Sequence, residues 1–135
     1  MGRGYFGLIL YQPKTIENVG VLIRSAVNFD AAFICTIGQR YRRSRGDTEN
    51  VFQHFPGFHF TTLTDCLSAM PLNMKIIRVE IDGDELLPSF IHPERAVYIL
   101  GGEDRSVPDI LESMTVRIPT KRCINLSVAA SILMY

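Results

Sequence analysis

Arg24 stands in the middle of the apolar run TIENVGVLIRSAVNFDAAFICTIG, one residue before Ser25. A guanidinium in such a run is either a solvated helix arginine or a fixed cation held for phosphate or alkoxide chemistry. Gly20, four residues earlier, has no side chain and is expected to clear the helix surface beside it. A second segment, LGGEDRSVP, runs a strand into Gly101-Gly102, where a ligand can approach the main chain, and Glu103 follows as a helix cap or a partner contact. Neither G-x-G-x-x-G nor the Walker spacing occurs there, so this is no phosphate fingerprint. In the third, IPTKRCINLSVAASILMY, Asn125 and Ser127 stand where a last helix begins, and capping free N–H groups alone would account for them.

A fourth group has a different character. Arg40, Arg42, Arg43 and Arg45 surround Tyr41 in QRYRRSRG, a composition suited to phosphate contacts and one stacked base, or else to a solvated loop. Lys+Arg and Asp+Glu both number 14, so the net charge favours no polyanion and any nucleic-acid contact must be local. His54, His59 and His92 have no spacing that suggests a metal site or a triad, and they read as structural or surface residues.

The elements that must position these residues alternate. YFGLILY is a short aromatic and branched run that ends at Gln12-Pro13, the pattern of a buried strand. A helix follows, with Val19, Leu22, Ile23, Ala26, Val27 and Phe29 on one stripe and Gly20, Arg24 and Asn28 opposite. AAFICTIG is a second strand, and the helical crossover between the two makes them parallel. FHFTTL and KIIRVEI are further strands flanking a short helix at DCLSAM, and DGDELLPSFIHPER is a turn-rich connector. AVYIL and VRIP complete the strands, and the last helix packs through Leu126, Ala129, Ala130, Leu133 and Met134.

With 135 residues, 47% of them hydrophobic, the expectation is one α/β domain over residues 1–135 with no appended RNA-binding domain. Cys35, Cys66 and Cys123 lack C-x-x-C spacing and read as thiols of a reducing compartment. The N-terminal apolar run is too short to span a membrane and lacks a cleavage signature, so the expected location is cytoplasmic, with no membrane partner.

Taken together and in order, ENVGVLIRSAVNF, YILGGEDRSVP and IPTKRCINLSVAASILMY resemble the three motifs of the SpoU, or TrmH-like, branch of the SPOUT RNA methyltransferases. The resemblance covers nearly the whole chain. It implies a parallel sheet flanked by helices with a C-terminal deep trefoil knot, a homodimer with the active site built across its interface, and methyl transfer from S-adenosyl-L-methionine to a ribose 2′-hydroxyl of a structured RNA. The absence of room for an added domain tilts the substrate toward tRNA over rRNA. On this resemblance Asn18 and Arg24 match the first motif, Glu103 the second and Asn125 the third, as catalytic or site-shaping residues. Cofactor contacts fall on Val79, Gly101, Ile118, Cys123 and Ile124, largely through main chain, and no metal is needed. Two positions depart from the family pattern: Ser106 stands where a glycine is usual and Cys123 where a serine is. A non-catalytic RNA-binding or assembly factor on the same scaffold is the alternative.

Overall fold

The structure, a computed structural model, describes residues 4–13, 16–38, 55–102, 107–110, 112–122 and 124–135, with main chain alone for 16–18. Among the described residues, seven strands and three helices follow one another as β1 (Tyr5–Tyr11), α1 (Ile16–Asn28), β2 (Phe33–Ile37), β3 (Gly57–Phe60), α2 (Leu63–Ser68), β4 (Lys75–Val79), β5 (Glu85–Leu86), β6 (Arg95–Gly101), β7 (Met114–Arg117) and α3 (Leu126–Met134). They form a single sheet in the order β3-β2-β1-β6-β4-β7-β5, and every pairing is parallel.

Side-chain alternation explains why both faces must be covered. In β1, Leu8 and Leu10 join Ala96, Tyr98 and Leu100 of β6 in one core with Val19, Leu22, Ile23 and Ala26 of α1 and Leu126, Ala130, Leu133 and Met134 of α3. Ile9, Val97 and Ile99 face the other way, into a core with Phe33, Cys35 and Ile37 of β2 and Cys66 of α2. A parallel sheet sandwiched in this manner needs apolar residues at consecutive positions, and that continuous burial is what made YFGLILY and AVYIL readable as strands. From β1 the chain proceeds outward through β2 to β3, and β6, β4, β7 and β5 lie on the opposite side. The strand order therefore reverses between β1 and β6, the type of position where open α/β sheets bind ligands at their carboxyl ends.

Several details differ from the sequence expectation. FHFTTL is strand only as far as Phe60, because Thr62 caps α2, which begins at Leu63 ahead of DCLSAM. Gly20 is buried and Val27 is 36% exposed, the reverse of their expected faces. Both lie on the same flank of α1, roughly a quarter turn from Val19 at about 100° per residue, where neighbouring chain rather than periodicity decides burial. The open surface expected over Gly20 beside Arg24 is consequently covered. The connector DGDELLPSFIHPER contains the two-residue strand β5 and a 3-10 turn over Leu87–Ser89. Finally, β7 begins at Met114, ahead of VRIP, and ends at Arg117.

The two described cysteines are free thiols, and the fold brings them together although they stand far apart in sequence. A hydrogen bond with Cys66, reinforced by burial, pushes the Cys35 thiol up. His59 and His92 are tied into the structure, as expected of them: His59 Nδ1 lies 3.1 Å from Thr36 Oγ1, and His92 Nδ1 lies 2.6 Å from the Tyr98 hydroxyl. Burial pushes the pKa of Tyr98 up to about 12. His54 lies outside the described residues.

Candidate active site

Three adjacent strands end side by side at the carboxyl edge of the sheet. Val79 closes β4, in register with Leu100 of β6 and Val116 of β7; Gly101 closes β6; Ile118 follows the end of β7. Val79, Gly101 and Ile118 are all half-buried, and so is Ile124, just before α3. Four of the five candidate cofactor positions thus have apolar or absent side chains and are partly open to solvent. Cys123 lies outside the described residues.

Chain crossings at this edge are close. The Gly102 N–H donates to Tyr11 O at 2.8 Å, and a Cβ at Gly102 would stand 2.3 Å from Gln12 O and 3.2 Å from Pro13 Cα. No side chain fits there, so the second glycine of the pair is required by the neighbouring β1 exit and not only by a ligand. Gly83 has a similar constraint: a Cβ would lie 2.5 Å from the carbonyl of Val116, which itself accepts the Glu80 N–H at 2.9 Å.

The side chains that order this edge were not found by reading motifs. Glu80 Oε1 accepts the main-chain N–H of buried Val107 at 3.1 Å. Arg78, two residues earlier and therefore on the same face of β4, donates from Nε to Ser113 Oγ at 2.9 Å and from Nη1 to Asp109 Oδ1 at 3.1 Å. Its Nη1 is also 3.9 Å from Glu80 Oε1. Burial, the largest influence, holds the Glu80 carboxyl above its usual range, against the opposing pull of the Val107 N–H and the Arg78 guanidinium. In sequence, Arg78 and Glu80 flanking Val79 after the apolar pair Ile76-Ile77 carry the only signal, and it names no partner.

The candidate residues of the three motifs are distributed as follows. Asn125 is the N-cap of α3: its Oδ1 accepts from Ser127 N at 2.9 Å, from Val128 N at 3.3 Å and from Ser127 Oγ at 2.6 Å. Capping fully occupies that oxygen. Asn18 lies in the first turn of α1, its side chain outside what is described. Arg24 is exposed on α1; its carbonyl accepts from Asn28 Nδ2 at 2.9 Å, and its guanidinium makes no hydrogen bond or ion pair among the described residues. Within one chain, Arg24 thus belongs to the outer face of the α1/α3 layer and not to the strand-end cluster. Glu103, Ser106 and the four arginines Arg40, Arg42, Arg43 and Arg45 lie outside the described residues.

The SpoU rRNA Methylase family matches residues 5–135. No curated protein matches the chain by sequence. Among solved structures, one concerned with the 2-OH methylation of C/U34 on tRNA is 22% identical with a TM-score of 0.84, covering 99% of this chain and 94% of its own. The SpoU methyltransferase AviRb from Streptomyces viridochromogenes is 19% identical with a TM-score of 0.85, over 99% of this chain and 58% of AviRb. Its complex with AdoMet is 18% identical with a TM-score of 0.77, over 100% of this chain and 57% of that one. The chain therefore spans nearly all of the first and somewhat over half of AviRb, and at these identities the likenesses establish the fold. The family match over nearly the whole length goes further: the chain belongs to the SpoU rRNA Methylase family, whose members are RNA 2′-O-ribose methyltransferases that use S-adenosyl-L-methionine.

Proposed function

We propose that the protein transfers a methyl group from S-adenosyl-L-methionine to a ribose 2′-hydroxyl of a structured RNA, with tRNA favoured over rRNA, and that it acts as a homodimer. The observation that carries this reading is the alignment of Val79, Gly101 and Ile118 at the ends of three neighbouring strands in a chain of this family. Half-buried apolar side chains can cover an adenine ring there while main-chain donors and acceptors meet its edges. The residues present thus fit the cofactor, with Ile124 and Cys123 completing the set. When bound, the cofactor supplies a methyl made electrophilic by its sulfonium sulfur.

The chain's own residues align the acceptor. Arg24 orients the nucleotide through its phosphate and stabilises the charge developing on the 2′ oxygen, because a guanidinium stays protonated and cannot serve as an ordinary base. A C–O bond forms as the C–S bond breaks, and the hydroxyl proton leaves to phosphate or solvent. Asn18 and Glu103 shape the acceptor side, and Asn125 fixes the start of α3 beside Ile124. Arg40, Arg42, Arg43 and Arg45 hold the RNA backbone. The chemistry calls for no metal, and a cytoplasmic location suits an RNA-modifying enzyme with free thiols.

Exposed apolar side chains support the dimer. Ser131 Oγ of α3 donates to Ser25 Oγ of α1 at 3.3 Å. Val21, one turn before Ser25, is 45% exposed, and Val128 and Ile132, beside Ser131, are 50% and 44% exposed. A partner seated on these helices would cover that strip and bring a second Arg24 toward the strand ends. The strand order is compatible with the proposed knot: β7, the last strand in sequence, is inserted between β4 and β5, which precede it. The chain then continues to α3, against α1.

Calorimetric titration of S-adenosylmethionine into wild type and Arg24→Ala tests the assignment. Equal cofactor affinity with transfer lost in the variant is expected. Equal loss of both would remove Arg24 from the acceptor side, and no cofactor binding by wild type would favour an RNA-binding factor without catalysis.

A further inference from the structure

A cavity of about 570 Å³ opens at the carboxyl ends of β1 and β2, bounded by the start of α2 and by residues 108–110. None of the four described candidate cofactor positions, Val79, Gly101, Ile118 and Ile124, lines it. Its polar lining comes from Tyr11, Gln12, Thr61, Thr62, Thr64 and Asp109, over apolar side chains that include Ile37. The volume lies within the range of small-molecule sites, roughly 300–1,000 Å³.

Gln12 is the informative residue. Its φ of 48° places a non-glycine residue in the left-handed region, a conformation kept only where the surroundings fix it. They do so here: its N–H donates to Ile37 O at 2.9 Å, and its side chain lies over Gly38, whose Cβ, if present, would be 3.2 Å from Gln12 Cγ. The side-chain amide makes no hydrogen bond among the described residues. Gln12 lines the cavity, and its amide brings one donor and one acceptor group to that wall, one residue from Tyr11, the register partner of Gly101.

The electrostatics select the ligand class. Among the described lining residues there is no cation, and Asp109 contributes a carboxylate whose side chain is fully exposed despite its ion pair with Arg78. A phosphate is disfavoured by such a lining. An uncharged heteroaromatic edge bearing both donors and acceptors is favoured, since amide and hydroxyl groups match it and the apolar floor accepts its face. The arginine-rich segment begins two residues beyond Gly38 in sequence.

We propose that this cavity is a subsite for one unstacked base of the RNA substrate, separate from the cofactor site and read by the Gln12 amide and the threonine hydroxyls. The inference rests on the methyltransferase reading for the identity of the polymer.

The test uses the full chain labelled with nitrogen-15, titrated with millimolar uridine, cytidine, adenosine and guanosine, without and with saturating S-adenosylhomocysteine, and separately with inorganic phosphate. At least one nucleoside should shift the Gln12 side-chain amide and the Thr61, Thr62 and Thr64 signals in both conditions, and phosphate should not. Gln12→Leu should abolish those shifts, leave S-adenosylmethionine affinity unchanged and weaken RNA binding by about tenfold. If that variant does not fold, Thr61→Val with Thr64→Val carries the same expectation. Shifts confined to Val79, Gly101, Ile118 and Ile124, shifts by phosphate alone, or none with any nucleoside overturn the subsite while leaving the cofactor reading standing. Nucleoside shifts in a protein that binds no S-adenosylmethionine sustain the subsite and overturn the methyltransferase reading.

Discussion

The Glu80 carboxylate, immediately after β4, accepts the main-chain N–H of Val107, 27 residues later, at 3.1 Å. It thereby pins the chain that follows the Gly101-Gly102 motif to the strand that carries Val79. Glu80→Ala leaves the N–H of a buried residue without its partner, which costs about 1–3 kcal/mol. Denaturant unfolding should show that loss, and calorimetry should show weaker S-adenosylmethionine binding through the loosened segment.

Glu80→Gln separates the charge from the hydrogen bond, because an amide oxygen still accepts the Val107 N–H. The folded-state pKa of Glu80 is raised by burial, so its contribution to stability is present in full below the unfolded value and is lost as pH rises through the folded one. Ionising this carboxyl thus costs more in the fold than in the unfolded chain. Glu80→Gln should therefore melt above wild type at neutral pH, with the gap closing on acidification; thermal melts across pH 4–8 check the sign.

Much of the architecture was legible because burial on two faces forces continuous apolar runs. YFGLILY, FICTI and AVYIL are strands in the sheet as they are in the sequence, and the apolar stripe of α3 is buried through Leu126, Ala130, Leu133 and Met134. Two-residue β5 was not legible, since a strand that short has no period and forms only because β7 lies beside it. Glu80–Val107 and Arg78–Ser113 were invisible for a related reason: each joins residues brought together only by the sheet order. Asn125 shows the opposite case, where a local cap motif is readable and the structure displays the cap.

Asn125→Ala removes an oxygen that takes three donors at the start of α3, and should destabilise the protein by about 0.5–2 kcal/mol. Asn125→Asp retains the acceptor and should recover most of that loss. Urea unfolding of both variants checks the cap, and a cofactor titration of Asn125→Asp isolates any effect on the neighbouring Ile124.

Gly102→Ala places a methyl 2.3 Å from Gln12 O, where only main chain can yield. The β1 and β6 exits must separate, at a cost of about 1–3 kcal/mol for overpacking. The urea midpoint should fall, and S-adenosylmethionine affinity should fall with it because Gly101 moves. An unchanged midpoint would contradict the close crossing.

The central claim is methyl transfer to a ribose hydroxyl. Its most direct measurement is nucleoside analysis of RNA from a strain lacking the protein, after incubation with the purified chain and S-adenosylmethionine carrying a labelled methyl. Label in a 2′-O-methylated nucleoside, absent with Arg24→Ala, is the predicted result; label on a base, or none in any RNA fraction, would contradict it.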